Sequence, residues 1–136
     1  MKPVALITGA AGLIGGYLVR SASRWVPDWE VRGLTRTEVD LTDRAQMQRC
    51  WERHRPDLVI HCAALSRTGL CEQDPARARL SNVEATRSLA DLARDVPFAF
   101  LSTDQVFDGA KGHYVETDAV HPLNVYGQTK VEAEQA

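Results

Sequence analysis

The sequence predicts an α/β fold in three layers, a doubly wound parallel sheet with helices on both faces, and three observations carry that expectation. Short apolar runs alternate with segments whose apolar residues recur at helical spacing, the pattern of successive βα units. A glycine-rich turn, Gly9-x-x-Gly12-x-x-Gly15, joins the first such strand to the first helix. Two hydroxyl residues, Ser102 and Thr103, follow the last strand, at the end of a parallel sheet where ligands bind. Four strands in the spatial order 3-2-1-4 are expected.

The first unit organises the rest. Val4 to Ile7 is an apolar run suited to a strand buried on both faces, and from Leu13 the residues Ile14, Tyr17, Leu18 and Trp25 fall at helical intervals. A strand, a glycine turn and a helix in that order make an anion site, because backbone N–H groups and the positive end of the helix dipole point above the turn. Gly9 permits the tight turn, Gly12 lets a pyrophosphate approach the backbone, and Gly15 lets the helix pack close to the strand. The unit reads as Rossmann-like, with Gly9, Ala11, Gly12, Leu13 and Ile14 as dinucleotide contacts.

Bulk properties exclude other classes. The chain has 136 residues, 44% of them hydrophobic, and a net charge of −2, which argues against nucleic acid or a membrane surface as the main partner. No apolar run approaches the roughly 20 residues of a membrane span. Lys2 leads directly into the first strand, with nothing resembling a signal peptide, so the expected location is cytoplasmic. Cys50, Cys62 and Cys71 lack metal-ligand spacing, and no metal site is expected.

Trp29 to Leu34 reads as the second strand. An acidic residue near its end would bind the ribose 2′-hydroxyl of NAD; Thr35 and Arg36 stand there instead, a hydroxyl and a cation suited to a 2′-phosphate. NADP is therefore favoured, with NAD as the alternative because Glu38 lies nearby. Thr42 is expected to cap a helix carrying Met47, Cys50, Trp51 and His54, ended by Pro56. Asp57 to Cys62 is the third strand, and Cys62, Ala63 and Ala64 leave room at its end for a flat cofactor. His61 is read as structural, a neutral imidazole satisfying a buried backbone group. Ser66 to Pro75 reads as a polar loop, and a long helix runs from Asp74 or Pro75 to about Asp95. Pro97 precedes the fourth strand, Phe98 to Leu101. Tyr126 and Lys130 are four apart, so a helix places them one turn apart on one face. An ammonium there would lower the phenol pKa, as a proton donor to a carbonyl requires.

The motifs Thr8 with Gly9-x-x-Gly12-x-x-Gly15, Ser102-Thr103-Asp104-Gln105-Val106-Phe107 and Tyr126-x-x-x-Lys130 resemble the extended short-chain dehydrogenases/reductases, and within them the dTDP-4-dehydrorhamnose reductase family. The resemblance spans Val4 to Lys130. It implies hydride transfer from NADPH to a nucleotide-linked 4-keto sugar, with Tyr126 as proton donor, Lys130 on the nicotinamide ribose and Thr103 on the carbonyl oxygen. It implies that Asp40 and Leu41 contact the adenine, that Ser102 borders the cofactor, and that Thr103, Asp104, Gln105 and Val106 meet the substrate. Asn82 is implied to support Lys130 through water. Gln105 stands where the family carries an aromatic residue. Family chains run well beyond this length, so residues 1–136 are expected to be the cofactor-binding half, with the substrate domain absent. A homodimer through the Asp74–Asp95 and Asn124–Ala136 helices is expected. The alternatives are an epimerase or dehydratase of the same branch, or a non-catalytic NADP-binding regulatory subunit like the methionine adenosyltransferase beta subunit.

Overall fold

The computed structural model describes residues 1–136. In chain order it contains β1 (Val4–Thr8), α1 (Leu13–Trp25), β2 (Glu30–Leu34), α2 (Arg44–His54), β3 (Leu58–His61), α3 (Thr68–Gln73) and α4 (Pro75–Arg79). A π-helical turn (Leu80–Glu84), α5 (Ala85–Leu92), β4 (Phe98–Phe100), a 3-10 turn (Asp104–Val106) and α6 (Val125–Glu134) complete it. The α/β class and the all-parallel sheet agree with the sequence reading.

The strand order does not. It is β2-β1-β3-β4, with Ala5 opposite Leu58 and Ile7 opposite Ile60, so the third strand lies against β1 rather than outside β2. The segment that would have extended the sheet beyond β2 is a turn, in which the Asp40 carboxylate accepts from the Thr42 N–H at 2.9 Å and its hydroxyl at 2.7 Å. The chain instead crosses back through α2 and inserts β3 at the centre, where Val59 is fully buried. Reversing direction at β1 opens a crevice between the carboxyl ends of β1 and β3, the ligand position in such sheets.

Alternation along the strands explains the two helical layers. Leu6, Leu34 and Val59 share one face and pack against Met47 and Cys50 of α2 and Leu89 of α5. Fully burying each large side chain contributes roughly 1.5–3 kcal/mol. Ile7 and Gly33 lie side by side on the other face. There a Cβ on Gly33 would sit 2.8 Å from the Val19 side chain, so the missing side chain is what lets α1 pack close.

Local chemistry moves several boundaries. Asp43, not Thr42, caps α2, accepting from the N–H groups of Ala45 and Gln46 at 2.9 and 3.0 Å. The expected Ser66–Pro75 loop contains α3. The expected long helix is interrupted by the π-helical turn, where the Thr86 hydroxyl donates back to the Asn82 carbonyl at 2.6 Å, and it ends at Leu92. No helix is long and apolar enough to cross a membrane, and no cluster of His, Cys, Asp or Glu is placed to hold a metal ion.

Candidate active site

A cavity of about 450 Å³ lies across the carboxyl ends of the strands. Its walls are the glycine turn and first turn of α1, the end of β2, the end of β3, and Ser102, Tyr126 and Lys130. Gly9 has φ +70°, and a Cβ there would meet the Ala63 backbone nitrogen at 2.8 Å, so the turn rests directly on the β3 exit. Helix α1 starts at Gly12 with no side-chain cap, leaving its first-turn N–H groups for a ligand. Gly9, Ala11, Gly12, Leu13 and Ile14 all line the cavity. The donor-rich turn and the room above it suit a dinucleotide phosphate.

At the end of β2, Thr35 and Arg36 face the cavity while Glu38 does not. The Glu38 carboxylate accepts from the Thr35 N–H at 2.8 Å and its hydroxyl at 2.7 Å, and these bonds hold its acid below the usual range. Glu38 is thus committed to its own turn. Asp40 and Leu41 line the same end, and Thr42 hydrogen bonds keep the Asp40 carboxyl low.

At the end of β3, Cys62, Ala63 and Ala64 form the cavity floor, and burial pushes the Cys62 thiol up. His61 behind them is 1% exposed, and burial, then the Lys130 charge, pulls its pKa down to about 4. The folded chain therefore holds a neutral imidazole that the unfolded chain protonates below about 6.5. Stability from this group is complete above pH 6.5 and is lost as pH falls toward 4, by about 3 kcal/mol in total. Urea unfolding at pH 7 and pH 4.5, compared with His61→Asn, measures it: the variant should lose less on acidification, and equal losses would refute the assignment.

At the end of β4, the Ser102 hydroxyl bonds the Glu134 carboxylate of α6. Asn124 caps α6, its side chain accepting from the Gly127 N–H at 2.7 Å and donating to the Gln105 amide oxygen at 2.8 Å. Gln105 is thereby occupied in seating the helix. Of the four expected substrate residues, none lines the cavity; Thr103 and Asp104 lie exposed or half-exposed beside it. Val106 is a correction, being 5% exposed with its carbonyl bonded to the His121 N–H, so its side chain is core.

Tyr126 and Lys130 both line the cavity at 8% and 2% exposure. The expected lowering of the phenol by Lys130 is not what this geometry gives. Burial pushes the Tyr126 phenol up, against the neighbouring Thr103 hydroxyl that pulls it down. The Lys130 ammonium is turned to the Leu101 carbonyl at 2.5 Å and lies 3.8 Å from the Phe100 ring centre. Burial brings Lys130 down to about 8, so it is mostly cationic at neutral pH. Asn82 is 2% exposed and holds the Leu65 N–H at 2.7 Å and the Thr129 hydroxyl at 2.9 Å. It anchors the helix of Lys130 through Thr129.

The cavity wall also includes Leu34 and Leu101, whose places at strand ends were legible, and Ser66 and Ser81, which were not. Ser66 lies in the segment between β3 and α3 and Ser81 in the π-helical turn, and the sequence announces neither α3 nor that turn.

A parallel sheet with a glycine turn at its switch point and a Tyr-x-x-x-Lys helix beside the same cavity defines a Rossmann-like domain of the short-chain dehydrogenase/reductase type. The family model for the RmlD substrate binding domain matches residues 1–136, and the chain belongs to that family. It is 40% identical over 134 residues to a dTDP-4-keto-6-deoxy-D-glucose reductase of Streptomyces niveus, covering 96% of this chain and 46% of the relative. It is 36% identical to the methionine adenosyltransferase 2 subunit beta of Xenopus laevis, covering 97% of this chain and 42% of that one. Among solved structures, the dTDP-4-dehydrorhamnose reductase of Bacillus anthracis in complex with NADP superposes with a TM-score of 0.93 at 29% identity, over 99% of this chain and 49% of that one. The chain thus spans about half the length of the relatives it matches.

Proposed function

We propose that this chain is the cofactor-binding half of an NADP(H)-dependent reductase of a nucleotide-linked 4-keto sugar. The observation that carries the reading is that Tyr126 and Lys130 share the cavity that the glycine turn lines, with the Thr103 hydroxyl beside the Tyr126 phenol. When bound, NADPH supplies the hydride. The first-turn N–H groups of α1 would hold the pyrophosphate, Arg36 would meet the 2′-phosphate beside Thr35, whose own donors go to Glu38, and Asp40 and Leu41 would border the adenine. Tyr126 carries the proton for the carbonyl oxygen, and Thr103 positions that oxygen. Lys130 contributes a positive charge beside the nicotinamide ribose.

The cofactor preference has a direct test. Calorimetry should show tighter binding of NADPH than of NADH, because Arg36 is the cation at the β2 end and Glu38 is bonded to Thr35. Arg36→Ala should cost NADPH about 1–3 kcal/mol and leave NADH nearly unchanged. Equal losses for both cofactors would remove Arg36 from the phosphate site.

Self-association belongs to the same reading. Helices α4 and α6 are tied by the Arg79–Glu132 pair at 3.0 Å, and Leu80 beside them is 47% exposed. An exposed leucine beside paired helices favours a dimer. Sedimentation velocity at micromolar concentration should show a species of twice the chain mass. A single monomeric species unchanged on tenfold concentration refutes association.

A further inference from the structure

The cofactor floor is held from behind by a continuous line of buried hydrogen bonds. The Cys62 and Ala63 N–H groups both donate to the Thr8 hydroxyl oxygen at 3.2 Å. That hydroxyl lies 2.6 Å from His61 Nδ1, and His61 Nε2 lies 3.0 Å from the Thr86 hydroxyl. The Thr86 hydroxyl in turn donates to the Asn82 carbonyl in the π-helical turn at 2.6 Å. Thr8, His61, Asn82 and Thr86 are each no more than 2% exposed, so water is not available to replace a lost partner.

The donor count fixes the ring. Thr86 has one hydroxyl hydrogen, and it goes to Asn82, so Thr86 accepts from a proton on Nε2. A neutral ring then presents a lone pair at Nδ1, which takes the Thr8 hydroxyl hydrogen. Both Thr8 lone-pair directions stay free for the two backbone N–H groups. In the opposite tautomer, or in the imidazolium, a proton on Nδ1 competes with those N–H groups for the same oxygen. Only one arrangement satisfies every group.

We infer that His61, as its neutral Nε2–H tautomer, is a positioning residue: it orients the Thr8 hydroxyl to hold the Cys62–Ala63 backbone under the cofactor and links that floor to the π-helical turn. The consequence reaches the other end of the cavity. The Asn82 side chain in that turn holds Thr129, whose hydroxyl donates to the Tyr126 carbonyl at 2.8 Å. Gly9 rests on Ala63, so the glycine turn and the Tyr126 helix take their spacing from one buried ring. Lys130 is the charged group acting on that ring, while Phe98 and Phe100 border it with centroids 6.0 and 5.8 Å away. The inference rests on the cofactor reading above only for what lies over the floor.

Substitutions of different reach separate the two ends. Asn places its amide oxygen near the Nδ1 position and can accept from Thr8; Gln reaches the Nε2 position and Thr86 instead. In His61→Phe and His61→Gln, the Cys62 and Ala63 amides should exchange with solvent at least about tenfold faster, and NADPH should bind about tenfold more weakly. His61→Asn should restore both to within about threefold of the parent. Nitrogen-15 spectra of the histidine-labelled parent at neutral pH should show a protonated Nε2 and an unprotonated Nδ1. If His61→Phe does not fold, Thr86→Ser and Thr86→Val provide the same comparison at the other end, with the spectrum deciding the tautomer. A protonated Nδ1, an Asn variant no better than Phe, or unchanged exchange in Phe overturns the inference. Failure of the parent to bind NADPH would instead overturn the functional reading, since exchange and tautomer are read without cofactor.

Discussion

Tyr126→Phe should lower kcat for carbonyl reduction by at least about 10²-fold, equivalent to roughly 2.7 kcal/mol of barrier, with cofactor affinity little changed. The measurement belongs in a polypeptide that joins this chain to the remaining half its relatives carry. The ring itself should stay in place, because it packs with Cys71 and Ala78, with Leu65 and Val125 beside them, and phenylalanine preserves those contacts. The unfolding midpoint should therefore barely move while the rate collapses, and that separation marks a chemical role. The pH profile assigns the neighbouring charge. Burial holds the Tyr126 phenol above its ordinary range, whereas Lys130 loses its proton near pH 8. The alkaline limb of kcat/KM should follow the lysine, appearing near pH 8 and vanishing in Lys130→Met against a lower plateau. A Tyr126→Phe enzyme running at the parent rate would take the tyrosine out of the mechanism.

What the sequence disclosed and what it withheld divide along a physical line. Features set by local chemistry were legible: a glycine turn between an apolar run and a helix, and two residues one helical turn apart. All of the residues read as cofactor contacts line one cavity, most of them at the carboxyl end of a strand or in the turn after it, with Tyr126 and Lys130 brought in by α6. Features set by long-range partners were not. The order β2-β1-β3-β4 depends on where the α2 crossover returns, which no local pattern encodes. The direction of the Tyr126 shift depends on where the Lys130 side chain points, and the Leu101 carbonyl that captures it lies 29 positions away in sequence. The π-helical turn places the Asn82 carbonyl against the Thr86 hydroxyl, and no spacing in the sequence marks it. Glu38 shows the gain from structure most directly. In sequence it competed with Arg36 for the ribose, and in space its carboxylate is bonded to Thr35.

Gly15→Ala should destabilise the fold by about 2 kcal/mol or more, although helix propensity alone favours alanine by roughly 1 kcal/mol. Gly15 lies in α1, whose backbone an alanine adopts without strain, so only packing decides the sign. A Cβ there would lie 2.8 Å from the Gly9 carbonyl carbon, closer still to its oxygen, and 3.0 Å from the Thr8 carbonyl oxygen. Every one of those atoms is backbone, and none can swing aside. Relief requires α1 to move off β1, which also withdraws its first-turn N–H groups from the cavity. Cofactor affinity should fall with stability. Gly69 in α3 is the control, since a Cβ there meets nothing within 4 Å. Gly69→Ala should be neutral or stabilising by up to about 1 kcal/mol, through propensity and the smaller entropy of the unfolded chain. Urea unfolding of both variants beside the parent tests the pair. A Gly15→Ala chain as stable as Gly69→Ala would show that α1 does not depend on close contact with the glycine turn.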